Sequence, residues 1–338
     1  MFNRIKKIVN YICHYNTNKK ALRILDDKIA LPHYLRHYTL SEKYTYHHLQ
    51  TAEQILSYLL ISAHSIEKGL AMTDMRLGFG QPKIQNLVEV CVKYLERFTD
   101  FPSRLQNVMS IIFEYEDLHK KNDFALMPET KHAIDLLHSK VKCSLQPTHT
   151  QMVSRESYFE NAKGDYYQLA HSRHSVRDFT GEEVDADLLS KAFDLAQKAP
   201  SACNRQSTRV YAVYNPSLRE QLVDIQNHQR GFADNANPLL VVTTELQSWG
   251  YGEEWFGGYL DGGIYIANLL YALHYYHIAA IPLNWYADEE NNDKIHKLLN
   301  IPESQVVVAF VACGIPTDSF KLVTSTRCDV GDIVKIIR

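Results

Sequence analysis

Two segments in the second half of this 338-residue chain gather side chains able to hold an anion or a flat polar ligand. The first is Arg173-His174-Ser175-Val176-Arg177-Asp178-Phe179, with two arginines four apart and a serine hydroxyl between them. A guanidinium presents a planar fork of charged donors that suits a phosphate, and the hydroxyl adds one more donor. Taken alone, the run also fits a solvated basic helix end. The second is Ala199-Pro200-Ser201-Ala202-Cys203-Asn204-Arg205-Gln206. Small residues after a proline let the backbone come close to a flat ligand, and the amides of Asn204 and Gln206 both donate and accept. Taken alone, this segment also fits an ordinary helix-to-strand loop.

The elements around these segments must place them. One helix lies between them, with Asp185 or Asp187 as its N-cap, Leu189, Ala192, Phe193 and Ala196 on its apolar face, and Pro200 as its stop. β-rich runs follow at Thr208–Tyr214, Pro238–Thr244, Ala279–Leu283 and Val306–Cys313. Leu260–His277 is apolar almost all round, which predicts a buried central helix. These elements predict an α+β or α/β unit built around one sheet.

The first 150 residues read as helical instead. Gln50–Glu67, Pro82–Phe98 and Pro102–Lys120 carry apolar residues at spacings of three and four, as in Leu87, Val90, Cys91 and Tyr94. Gly78, Gly80 and Pro82 break the chain between the first two. The polar, proline-containing stretch SLQPTHTQMVSRES at 144–157 has linker chemistry. A boundary near residue 150 divides a helical unit, 1–150, from a second unit, 151–338.

Composition narrows the function. Hydrophobic residues at 45% and charged residues at 22% are ordinary for a globular chain. A net charge of -3 lacks the basic surplus of a nucleic-acid binder. No apolar run reaches the length of a membrane span. The basic, apolar start MFNRIKKIVNYICHY, with Phe2, Ile5, Val9 and Ile12 on one side, suits a membrane-surface helix or a first helix packed on its own unit, and we take the second. Six cysteines without a C-x-x-C pair suit free thiols in the reducing cytoplasm. Neither G-x-G-x-x-G nor G-x-x-x-x-G-K-[ST] occurs, so dinucleotide-fold and P-loop readings have no motif to stand on; H-E-x-x-H is missing too.

The two segments and their intervening helix together resemble the opening signature of the nitroreductase family, R-x-S-x-R-x-F before a helix that ends in A-P-S-x-x-N-x-Q. The resemblance continues in order. Gln229-Arg230-Gly231-Phe232 precedes the strand at Pro238–Thr244, and Asp261-Gly262-Gly263 opens the long helix with its Leu269-Leu270-Tyr271-Ala272-Leu273-His274. Ile281-Pro282-Leu283-Asn284-Trp285, Gly314-Ile315-Pro316 and Ser325-Thr326-Arg327 follow.

The resemblance implies a nitroreductase-like α+β domain, a central mostly antiparallel sheet flanked by helices, here preceded by an all-α N-terminal domain. It implies FMN at the interface of a homodimer. Arg173, His174, Ser175, Arg177 and Arg327 would hold the phosphate and ribityl chain. Pro200, Ser201, Ala202 and Asn204 would reach the flavin of the partner subunit. Gln229 would touch the ring or ribityl chain, and Leu283, Asn284 and Trp285 would face its reactive edge. Ala202 departs from the serine often found there, and that removes one hydroxyl contact. Electrons would enter from NADH or NADPH and leave to a small molecule in alternating half-reactions, the flavin doing the hydride chemistry. No side chain is assigned as a catalytic acid or base. The runner-up reading keeps the fold and drops the reductase activity, making the chain a flavin-binding module or scaffold in a biosynthetic complex.

Other clusters carry less. Glu116-x-x-His119 and Glu129-x-x-His132 have di-iron spacing, yet Pro128 and the short separation favour solvated helix faces, and no metal is assigned. His64-Ser65-Ile66-Glu67-Lys68-Gly69-Leu70 and Arg76-Leu77-Gly78-Phe79-Gly80 would line a substrate pocket or contact the flavin domain; the competing reading is a helix end capped by Gly69 in the left-handed conformation. His274-x-x-His277 reads as satisfied core histidines.

Overall fold

The computed structural model describes residues 46–141, 145, 150–226, 231, 233–248, 256–285 and 289–338. The MFNRIKKIVNYICHY stretch and Gln229 lie outside the described residues.

The N-terminal half is helical: α1 (Ala52–Leu70), α2 (Gln81–Arg97), α3 (Ser103–Lys121) and α4 (Pro128–Lys140). Thr51 starts α1 with a capping box, its hydroxyl accepting from the Gln54 N–H while the Gln54 side chain returns to the Thr51 N–H. The apolar residues at helical spacing meet in one core, with Leu59, Leu87, Tyr94, Leu105, Ile112 and Tyr115 wholly buried.

One glycine has a different task from the one its spacing suggests. Gly69 is no left-handed cap: α1 runs through it to Leu70 and ends on Ala71 in a right-handed conformation. A Cβ at Gly69 would sit 2.2 Å from the Phe79 ring, so the missing side chain gives that ring its place.

The remaining elements are β1 (Thr150–Ser154), α5 (Arg155–Phe159), α6 (Tyr166–Ser172), α7 (Ala186–Ala196), β2 (Thr208–Val213), α8 (Pro216–Gln226), β3 (Leu239–Glu245), α9 (Gly257–Tyr275), β4 (Ala279–Leu283), α10 (Glu289–Leu299), β5 (Gln305–Gly314), β6 (Ser319–Val323) and α11 (Val330–Ile333). The stretch expected to be a linker therefore contains a strand, β1, which pairs antiparallel with β6. Four strands form an antiparallel sheet in the order β2-β3-β5-β4. The fold is α+β.

Alternation along β3 shows how the sheet is covered. Leu239 and Val241 face a core shared with Ile281, Phe310 and Phe320. Leu240 and Val242 face another core, filled by α7 and α9 through Leu189, Ala192, Leu269 and Leu273. Burial on both faces explains why β3 opens with an unbroken apolar run, Leu239–Val242.

One expected limit of α7 is met and the other differs. Asp185 is the N-cap of α7, accepting from the Leu188 N–H at 2.9 Å. The helix stops at Ala196, four residues before Pro200, because Asn268 of α9 donates to the carbonyls of Leu195 and Ala196 at 3.3 and 2.9 Å. The central helix α9 is not buried all round. It lies on the sheet by one side only, and Leu260 at its start is 65% exposed. Among the described residues, no helix is long and apolar enough to cross a membrane.

Candidate functional site

The arginine segment begins where α6 ends. Asp165 caps α6 with a second capping box, through Gln168, and the helix finishes with the Arg173 N–H donating to Leu169. Beyond it the chain is extended and pinned at three points. The Val176 N–H donates to the Ala280 carbonyl of β4 at 3.2 Å, Phe179 bridges to Pro316, and the Thr180 N–H donates to the Ile315 carbonyl at 2.9 Å. Val176 and Phe179 are buried, while Arg173, His174, Ser175 and Arg177 between and beside them stay partly accessible.

The helix α9 supports the same turn. Tyr271 lies under the Arg173 guanidinium, 5.9 Å from it. His274, buried, shares a 2.9 Å hydrogen bond between its Nε2 and the Ser172 hydroxyl. Burial, reinforced by Arg173, His277 and His174, pulls its pKa down to about 3. His277 corrects the core-histidine reading, being exposed at the helix end in a left-handed conformation and stacked on Phe159.

Arg327 is brought to this place from the far end of the chain. His174 is half-buried, with Nδ1 3.0 Å from the Ser172 carbonyl. Its pKa lies below the ordinary histidine range, from burial first and then from the charges of Arg173 and Arg327. Arg327 is exposed and its Nη1 bonds the Ser325 carbonyl. Burial also works against the charged form of Arg177, opposed by the carboxylate of Glu67 on α1. The charges of Arg173 and Arg327 therefore meet at His174, while Arg177 meets a carboxylate, Glu67, from the N-terminal helices and lines a separate cavity with Met72 and Lys321.

The other expected residues fall into two groups. Leu283, Asn284 and Trp285 continue the strand that holds Val176, three residues or roughly 10 Å further on from Ala280. Leu283 is buried, the Asn284 carbonyl accepts from Gln226 at 2.9 Å, and the Trp285 ring packs on Phe310 at 5.2 Å. Pro200, Ser201, Ala202 and Asn204 lie elsewhere in the same chain. They form a tight loop beside α9, where the buried carboxylate of Asp261 accepts from the Ala202 N–H at 3.0 Å. Cys203, Asn204 and Gln206 adopt positive φ values of 52°, 55° and 50°, so the loop is held strained. A cleft of about 390 Å³ opens there, lined by Pro200, Ser201, Asp261 and Tyr265 and by none of the arginines of the first group. One chain alone does not unite the two groups.

Sequence reading missed Gln226 and Asp261 as a loop anchor, whose roles depend on contacts across the chain. The E-x-x-H pairs do not converge. Glu116 accepts from Lys131 and His138 at 2.8 and 2.7 Å; burial opposes its ionisation, but these two partners hold its carboxyl below the usual range. His119 is buried, with Nδ1 2.7 Å from the Tyr115 carbonyl and Nε2 accepting the Gly78 N–H at 2.8 Å. Glu129 and His132 are exposed.

Residues 170–237 match the model of the nitroreductase family. A protein of Methanothermobacter thermautotrophicus named "Putative NADH dehydrogenase/NAD(P)H nitroreductase" is 24% identical over 159 residues, 47% of this chain and 81% of its own length. A "CLA biosynthesis enone reductase" of Lactiplantibacillus plantarum is 32% identical over 105 residues, 30% of this chain and 48% of that protein. A nitroreductase-like protein of Streptococcus mutans overlaps 52% of this chain and 98% of its own at 20% identity, with a TM-score of 0.44.

Proposed function

We propose that the C-terminal half binds FMN and works as an FMN-dependent oxidoreductase that takes electrons from NADH or NADPH and passes them to a small molecule. The carrying observation is the meeting of Arg173, His174 and Arg327, from sequence positions some 150 residues apart, next to the segment that Val176 pins on β4. Like charges brought together repel unless an anion sits among them, and a phosphate monoester supplies two negative charges and three acceptor oxygens. The donor set fits that group. Arg173, Ser175, Arg177 and Arg327 hold the phosphate, and His174 lies against the same end. Leu283, Asn284 and Trp285 run along the reactive edge, where backbone N–H groups orient the ring and stabilise charge on it. When bound, the flavin supplies hydride acceptance and donation. No side chain is needed as an acid or base.

The Pro200–Asn204 loop completes this site in a homodimer, reaching the cofactor of the other subunit. The strained loop conformation, its anchor on Asp261, and the exposed Tyr259 and Leu260 beside it favour that arrangement. We place the division between a helical N-terminal domain and the flavin domain near residue 150. Buried free thiols at Cys91 and Cys313 favour the cytoplasm.

Anaerobic mixing of the flavin-loaded protein with NADH or NADPH in a stopped-flow cell tests the activity. Bleaching of the flavin band, followed by its return on adding a quinone or nitroaromatic acceptor, is the expected result. A bound flavin that neither donor bleaches refutes the reductase reading and leaves a flavin-binding module.

A further inference from the structure

A cavity of about 290 Å³ opens where α1 and α3 of the N-terminal half face the Ser325–Arg327 segment of the C-terminal half. Its polar wall carries His64 and Glu67 from α1, Asn107 from α3, and Arg327. Glu67 is buried, and its carboxylate accepts from His64 Nδ1 at 2.8 Å while its charge acts on Arg177. The carboxylate is thus offset on two sides. What the N-terminal helices offer the cavity is the far edge of the His64 ring, whose side chain is 46% exposed, and the amide of Asn107.

The contacts around the cavity keep the halves in register. Thr73 donates to Asp178 at 2.7 Å, next to Arg177. Ser103, at the start of α3, donates to Asp332 and accepts from the Asp329 N–H, both at 3.1 Å and just beyond Arg327. His64 and Asn107 are therefore carried on helices tied to either side of the arginine cluster.

We propose that the N-terminal helices complete the phosphate end of the cofactor site, with His64 and Asn107 as ligands to the FMN phosphate alongside Arg327. This rests on the FMN reading above and extends it to residues outside the matched family segment. With Nδ1 engaged by the Glu67 carboxylate, Nε2 is the His64 atom that would meet the phosphate. The Asn107 amide donates beside it. Glu67 orients His64 and is a positioning residue.

Comparing FMN with riboflavin, which lacks the phosphate, isolates this contribution. Each flavin is titrated into the full-length apoprotein, wild type and H64A/N107A, and its fluorescence quenching is followed. The expected result is a fall of about tenfold or more in FMN affinity, from the loss of two hydrogen bonds to a charged group, with riboflavin affinity unchanged. Unchanged riboflavin binding also reports that the double variant is folded. R327A, as reference, loses the preference for FMN. An FMN-to-riboflavin affinity ratio that is the same in H64A/N107A as in wild type overturns this inference and leaves the FMN reading standing. An equal loss for both flavins overturns it as well, since the helices then shape the pocket without touching the phosphate. A wild-type protein that binds both flavins equally overturns the phosphate assignment and this inference together.

Discussion

Replacing Arg173 and Arg327 together by alanine lowers FMN affinity by about two orders of magnitude or more. Each guanidinium gives charge-assisted hydrogen bonds to the phosphate, at about 1.5–3 kcal/mol apiece, and about 1.4 kcal/mol is a factor of ten. The fold should tolerate the change. Arg327 is exposed and bonds only its neighbour Ser325 among the described residues. Arg173 lies over Tyr271 with its backbone N–H on Leu169, a bond that alanine keeps. Isothermal titration with FMN measures the loss, and a far-ultraviolet dichroism melt checks the fold. An intact double variant that binds FMN as wild type does would remove the phosphate from this cluster.

The second large effect is a pH-dependent stability carried by His274. Its folded pKa of about 3 lies below the ordinary histidine value of 6.5, because a charged imidazole would be buried with Arg173, His277 and His174 nearby. The unfolded chain therefore binds the proton more readily. Stability from this group is fully present above about pH 6.5, declines as pH falls, and levels off below about pH 3. Between pH 7.5 and 5.5 the loss is about 1.4 kcal/mol. H274Q lacks the titrating ring but retains an amide for Ser172. Urea unfolding at those two pH values should show the variant losing about 1.4 kcal/mol less than wild type. Equal losses in the two proteins would mean that His274 takes up its proton as easily folded as unfolded. The effect reaches the site because the Ser172 hydroxyl on His274 immediately precedes Arg173.

Much of this architecture is legible in the sequence, for physical reasons. Strong periodicities read well: the helical spacing in α2, and the short apolar run that is β4, found over Ala279–Leu283 as expected. The missed strands β1 and β6 form a separate two-stranded sheet. TQMVS lies half-exposed and alternates weakly, so it reads as linker. The apolar circumference of α9 implies burial all round, but part of its surface, Leu260 among it, stays exposed among the described residues. Gly69 beside Lys68 looks like a cap because its spacing cannot show that Phe79 needs the room.

The site divides in the same way. Arg173 to Arg177 stand out by residue type, and the buried Val176 and Phe179 that anchor the segment are local. That Arg327 joins them is legible only through the ordered set of family-like segments. Asn107 carries no local mark of its proposed role, because it lines the cavity only where α3 faces the Ser325–Arg327 segment. The polar cluster around His64 did suggest a contact with the second half, and the helices place it there.

The central claim is that the C-terminal half holds FMN by its phosphate, and the direct measurement is the flavin carried by the protein itself. Protein purified with FMN present, freed of excess and denatured, should release FMN in near one-to-one ratio to chain, identified by chromatography against riboflavin and FAD. A protein that retains no flavin, or retains riboflavin or FAD in preference to FMN, would contradict it.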